Sequence, residues 1–183
     1  MREGFFSVTC LFIGFLLIGA QVRAESQLAT PTQVSLVADH STVAPQSPFR
    51  LGVLFKMQSG WHIYWKESGD SGLPTRVEFE VPQGFVVGEL KWPEHEVFVL
   101  PGDIKGYGYS DEVLLYSEIT PPQDLSIGRQ IELKAKVSWL NCSATVCIPA
   151  RQEVRLVVDS ASQAVSKNVE FFTRWQGKLP ANN

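Results

Sequence analysis

The chain has 183 residues, 44% of them apolar, with 16 Lys and Arg against 19 Asp and Glu for a net charge of −3. That length and composition suit one domain with its own core. The mild acidity gives no electrostatic reason to expect nucleic acid as a partner.

In chain order, Met1-Arg2-Glu3-Gly4 is followed by an apolar run from Phe5 to Ala20 and then Gln21-Val22-Arg23-Ala24. A charged start, an apolar centre and a small-residue exit predict a secretory signal peptide over residues 1–24, cut after Ala24. The run is short of the roughly 20 residues that a retained membrane anchor needs. Cys10 belongs to that segment, so the exported chain carries two of the three cysteines, Cys142 and Cys147. Residues 25–31 read as a flexible lead-in.

From there the dominant period is two. Leu51, Val53, Phe55 and Met57 alternate with Arg50, Gly52, Leu54 and Lys56, which predicts a strand from Phe49 to Gln58. Val77, Phe79 and Val81 alternate with Arg76, Glu78 and Glu80, and Ile131, Leu133, Ala135, Val137 and Trp139 with Glu132, Lys134, Lys136 and Ser138. Val154, Leu156 and Val158 continue the pattern after the cysteines. Less regular strands are expected at Gln33–Val43, Phe85–Trp92, Glu96–Leu100 and Val113–Ile119. Punctuation such as Pro82-Gln83-Gly84 and Pro121-Pro122 separates them. The expected fold is all-β, an immunoglobulin-like β-sandwich over residues 32–160. One-faced alternation argues against a parallel α/β sheet, whose strands are covered on both sides. The tail, 161–183, holds the one expected helix, between Ala161 and Trp175.

Ser138 to Pro149 lies between two alternating segments and reads as a hairpin with both sulfurs at its tip. Outside the cytosol such a pair oxidises. A bridge closing about six residues restricts the unfolded chain by only about 2 kcal/mol, against nearly 5 for a loop of about a hundred. A reactive pair is therefore favoured over a structural staple, with thiol–disulfide exchange as its chemistry. The spacing does not say which sulfur attacks, and no basic residue in the loop lowers a thiol pKa. A metal site fits poorly, because C-x-x-x-x-C departs from metal-binding spacing and His40, His62 and His95 are scattered. Trp61, Tyr64 and Trp65 are expected to fold from a loop onto the core rather than to hold a ligand. Gly69, Gly72 and Pro74 mark a tight turn, and Glu67 and Asp70 are expected to be loop polar groups rather than catalytic carboxylates.

Four stretches occur in a recognisable order: Trp61-His62-Ile63-Tyr64-Trp65-Lys66-Glu67-Ser68-Gly69-Asp70-Ser71-Gly72-Leu73-Pro74, Lys91-Trp92-Pro93, Gly106-Tyr107-Gly108-Tyr109, and Trp139-Leu140-Asn141-Cys142 through Cys147-Ile148-Pro149. Together they resemble the amino-terminal periplasmic domain of DsbD-type thiol:disulfide interchange proteins, especially the branch linked to suppression of copper sensitivity. The likeness extends to about Val158. It implies an immunoglobulin-like fold, a periplasmic location, and Cys142 and Cys147 as a redox pair that needs no cofactor or metal. The implied partners are a membrane-embedded DsbD-type electron carrier as donor, and periplasmic disulfide isomerases, thioredoxin-like or cytochrome c maturation proteins as acceptors. It also implies a cap over the pair, matched here by Asp103–Tyr109 with Tyr107 and Tyr109 as shielding aromatics. Two departures stand out. The cysteine spacing differs by one residue from that of the best-known members, and the sequence reaches Asn183 without a transmembrane module or a thioredoxin-like domain, so the electrons are expected from a separate protein. The rival functions are a noncatalytic immunoglobulin-like interaction module with a structural disulfide, and copper handling through Met57, His62 and the thiols.

Overall fold

The computed structural model describes residues 30–100 and 102–181, together with Met1. The expected signal peptide and most of the lead-in lie outside the described residues. The elements in chain order are β1 (Thr32–Ala38), β2 (His40–Val43), β3 (Phe49–Met57), β4 (His62–Gly69), β5 (Arg76–Glu80), β6 (Val86–Val87), β7 (Glu96–Leu100), β8 (Ile104–Ser110), β9 (Glu112–Thr120), β10 (Gln130–Cys142), β11 (Cys147–Ser160), β12 (Val165–Ser166) and α1 (Val169–Gln176). They form an immunoglobulin-like sandwich of two sheets. One runs β1-β3-β9-β6. The other runs β12-β2-β11-β10-β4-β8-β7, with β5 beside the middle of β10.

The alternating segments supply the facing surfaces. Leu51, Val53 and Phe55 of β3 and Leu133, Ala135, Val137 and Trp139 of β10 are buried in one core, and Phe55 meets Trp139 edge-on at 5.9 Å between ring centroids. The outer face of the smaller sheet is covered in turn by α1. Phe172, fully buried, sets its ring against Tyr116 at 5.8 Å and lies under the Arg50 guanidinium. Phe172 and Trp175, three apart on the helix, are its buried residues, and burying a ring of that size contributes about 1.5–3 kcal/mol.

The expected strand Gln33–Val43 is broken at Asp39, where the chain leaves one sheet for the other. Asp39 is buried at this corner and accepts hydrogen bonds from the Arg50 backbone N–H at 2.8 Å and from Arg50 Nε at 2.7 Å. The expected strand Phe85–Trp92 shrinks to Val86–Val87 and a single bridge from Lys91 to Tyr116. The larger corrections are β4, read from sequence as a loop, and β8, which the resemblance matched to a cap and which is a strand. Side chains cover β4 on both faces, with Ile63 and Tyr64 both buried. A strand covered on both sides loses the alternation that would announce it.

Candidate functional site

The longest hairpin among the described residues, β10–β11, carries the cysteines at its end. Its register runs without a slip from Gln130 opposite Asp159 to Cys142 opposite Cys147. The four residues between them close on themselves: the Ser143 N–H donates to the Val146 carbonyl at 2.8 Å, and Ser143 Oγ accepts from the Val146 N–H at 3.3 Å. Just below the tip, buried Asn141 accepts a hydrogen bond from Trp139 Nε1–H at 2.7 Å. Its Nδ2 donates to the Ile148 carbonyl at 3.2 Å. This side-chain bridge fixes the two strands behind the sulfurs.

Cys142 and Cys147 are disulfide-bonded, with their Cα atoms 4.1 Å apart. The two sulfur-bearing residues live in different surroundings. Cys142 is 1% exposed, packed with Tyr64 and Leu140. Cys147 is exposed, between exposed Val146 and Ile148. An incoming thiolate can therefore reach one end of the bond, while the other end is turned into the protein. Leu73, Pro74, Pro149 and Arg151 help line a groove of about 220 Å³ alongside.

The wall behind Cys142 comes from β4. Cys142 is opposite His62 in the strand register, and His62 is opposite Ser110 of β8. Gly72, at φ +93°, lies against the Tyr64 ring, and a Cβ there would come within 2.3 Å of it. The turn at 69–74 is thus a lid on Tyr64, which in turn backs the cysteine. Phe98 of β7 reaches His62 at 4.5 Å between ring centroids. It crosses β8 at Gly108, where a Cβ would approach its ring to 3.0 Å. Burial pushes the His62 imidazole below its ordinary pKa, and the charge of Glu96 partly opposes this.

The structure does not bring Tyr107 and Tyr109 to the sulfurs. Tyr109 is opposite Ile63, one residue out of step with the His62–Cys142 row, so it points to the other face of the sheet. There it is buried in the core and donates its hydroxyl hydrogen to the Pro93 carbonyl at 2.8 Å. Tyr107, two residues away on the same face, packs edge-on against His95, whose ring stacks on Trp65. The register thus sets both tyrosines on the face of β8 away from Cys142. The aromatic residue on the cysteine face that sequence reasoning passed over is Phe98, whose position depends on a strand pairing that spacing does not show. Trp61 and Trp65 pack against the main core, from a strand and its start rather than from a loop. The Asp70 carboxylate accepts the Lys105 backbone N–H at 3.0 Å, a tie between β4 and β8. Met57 is buried in the opposite sheet. Among the described residues no group of three or more His, Cys, Asp or Glu is arranged to hold a metal ion.

Residues 30–159 match the family model described as Thiol:disulfide interchange protein DsbD, N-terminal. Among solved structures, the chain is similar to the N-terminal periplasmic domain of ScsB from Proteus mirabilis, with 20% identity and a TM-score of 0.59. That likeness covers 83% of this chain and 56% of the other, so the chain spans little more than half the length of that relative. It is also similar to the DsbD N-terminal domain of Neisseria meningitidis in the reduced form, with 13% identity, a TM-score of 0.43, and coverage of 74% and 88%. No curated protein matches the sequence.

Proposed function

The chain belongs to the family of DsbD N-terminal domains, and on that premise we propose that it is a periplasmic electron relay acting through Cys142 and Cys147. It accepts reducing equivalents from a membrane-embedded DsbD-type carrier and passes them to disulfide-bonded or thioredoxin-like proteins of the envelope. The observation that carries this is the asymmetry of the disulfide at the hairpin tip, with Cys147 exposed and Cys142 buried.

A donor thiolate attacks Cys147 Sγ, the Cys142–Cys147 bond breaks, and its electron pair leaves on Cys142 Sγ. A second donor thiolate then attacks its own partner sulfur in the mixed disulfide, leaving the domain as a dithiol and the donor oxidised. Onward transfer is the mirror process. The Cys147 thiolate attacks the acceptor's disulfide, and Cys142 resolves the mixed bond by attacking Cys147 Sγ. Cys147 is thus the interchange sulfur and Cys142 the resolving one. Exposed Val146 and Ile148 beside it suit an apolar contact around an acceptor's own cysteines.

Trapping tests the assignment. Cys142→Ala, which keeps Cys147, accumulates mixed disulfides with envelope proteins, and Cys147→Ala does not. Equal trapping by both variants, or by neither, overturns it. A bridge potential below about −300 mV, the range of structural disulfides, would instead support the noncatalytic interaction module.

A further inference from the structure

Exchange through two sulfurs leaves one feature of the site without a role. His62 faces Cys142 directly across the β4–β10 pair. Opposed residues of antiparallel strands project to the same face, with Cβ atoms about 4.5–5.5 Å apart. Tyr64, two residues along β4, packs with Leu140 and Cys142 on that same face. The imidazole is walled in by Phe98 at 4.5 Å and Tyr64 at 5.3 Å between ring centroids. Its Nε2 is sealed from solvent and has no hydrogen-bond partner while the cysteines are joined. Leaving a buried polar atom unpaired is costly, so such an atom needs a reason. Across the strand pair from it is a sulfur that has no proton as a disulfide and acquires one as a thiol.

Resting on the exchange role proposed above, we propose that His62 is the proton partner of Cys142. When a donor thiolate bonds to Cys147 Sγ and the disulfide breaks, the electron pair moves onto Cys142 Sγ, and His62, neutral until then, takes up the proton released by the donor's thiol and passes it from Nε2 to that sulfur. In onward transfer, Nε2 takes the Cys142 proton as that sulfur bonds to Cys147 Sγ, and the acceptor leaves as a thiolate. Protons lost or gained by the partner's thiols balance the exchange through solvent.

The need for such a partner follows from the surroundings of Cys142. Burial against Tyr64 and Leu140 raises a thiol's pKa, and the hairpin loop contains no Lys or Arg to lower it. The titratable groups facing His62 are Cys142 from β10, Tyr64 from its own strand and Glu96 from β7. From β8 comes Ser110, whose hydroxyl is committed to both Glu96 carboxylate oxygens at 2.9 and 2.7 Å. Glu96 therefore supplies the negative charge that makes an imidazolium tolerable at this spot. Burial disfavours the imidazolium in the oxidised form, and a thiolate formed opposite the ring favours its protonation.

The test isolates Cys142 as the sole thiol in a chain carrying Cys10→Ser and Cys147→Ser, and follows thiolate absorbance near 240 nm against pH, with His62 intact or replaced by Gln or Asn. Either replacement raises the Cys142 ionisation midpoint by at least about one pH unit, a tenfold loss of thiolate at neutral pH. In the two-cysteine protein the same replacements slow the resolving step by about tenfold or more and flatten its pH profile. A readout that needs no substitution is the His62 ring resonance, whose titration midpoint rises when the disulfide is reduced. Unchanged thiolate titration in folded variants, or an unchanged His62 midpoint on reduction, overturns the pairing. If His62 governs the Cys142 titration while the protein exchanges with no dithiol, the relay role falls and the pairing stands. If exchange proceeds and the titration ignores His62, the reverse holds.

Discussion

Reducing the Cys142–Cys147 bond is expected to leave the domain folded and only modestly less stable. The bridge closes a loop of six residues, for which chain entropy gives about 2 kcal/mol. The ends of that loop are already held by the unbroken β10–β11 register, the Ser143–Val146 hydrogen bond and the Asn141 bridge to Ile148. For a domain of this size, about 2 kcal/mol corresponds to a fall of about 4–8 °C in melting temperature. By linkage, the same figure places the folded protein's potential only about 45 mV below that of the unfolded chain's cysteine pair. The assay is a thermal melt of the oxidised and dithiol-reduced forms, followed by near-ultraviolet circular dichroism, which reports the packing around Trp139 and Tyr64. A reduced form that has lost its near-ultraviolet signal at 25 °C, or that melts more than about 15 °C lower, would show that the bridge is a staple. The relay would then be refuted together with the entropy estimate.

Three further outcomes follow from the same geometry. In the reduced protein, iodoacetamide labels Cys147 at least about tenfold faster than Cys142, since a buried thiol is both shielded and slow to ionise; peptide mapping at short times reads the ratio, and equal labelling would contradict the placement of the two sulfurs. Gly72→Ala combines a left-handed backbone with a clash against the Tyr64 ring, so it costs at least about 2 kcal/mol in denaturant unfolding, and a neutral result would mean that the turn does not press on Tyr64. Burial pushes the Tyr109 hydroxyl far above its ordinary range, so the folded state keeps a proton that the unfolded state gives up near pH 10. Stability therefore declines as pH rises past about 10, and Tyr109→Phe, which cannot ionise, removes part of that slope; an identical slope in both proteins would exclude Tyr109 as a source.

The parts of the fold that were legible in sequence are those where one face of a strand meets the core and the other meets water. β10 is the clearest: Leu133, Ala135, Val137 and Trp139 are buried, and Glu132, Lys134, Lys136 and Ser138 are more exposed. The same rule fails for β4, where Ile63 belongs to the main core and Tyr64 to the cluster around Cys142. With both faces apolar, Trp61 to Trp65 reads as an aromatic cluster without direction. Tyr107 and Tyr109 show a related limit. An aromatic residue near an active strand is visible in sequence, but which face it serves depends on a register that one residue of slip inverts.

The residues by themselves determined the β architecture, the helical tail and the chemistry on offer, because alternation, turn composition and close cysteine spacing are local properties of the chain. Tertiary structure alone decided that Cys147 faces solvent while Cys142 does not, that Phe98 rather than Tyr107 or Tyr109 stands on the cysteine face, and that His62 lies opposite a sulfur 80 positions away. Those facts come from pairing between distant strands, and pairing is settled by the packing of the whole sandwich rather than by any stretch of sequence within it.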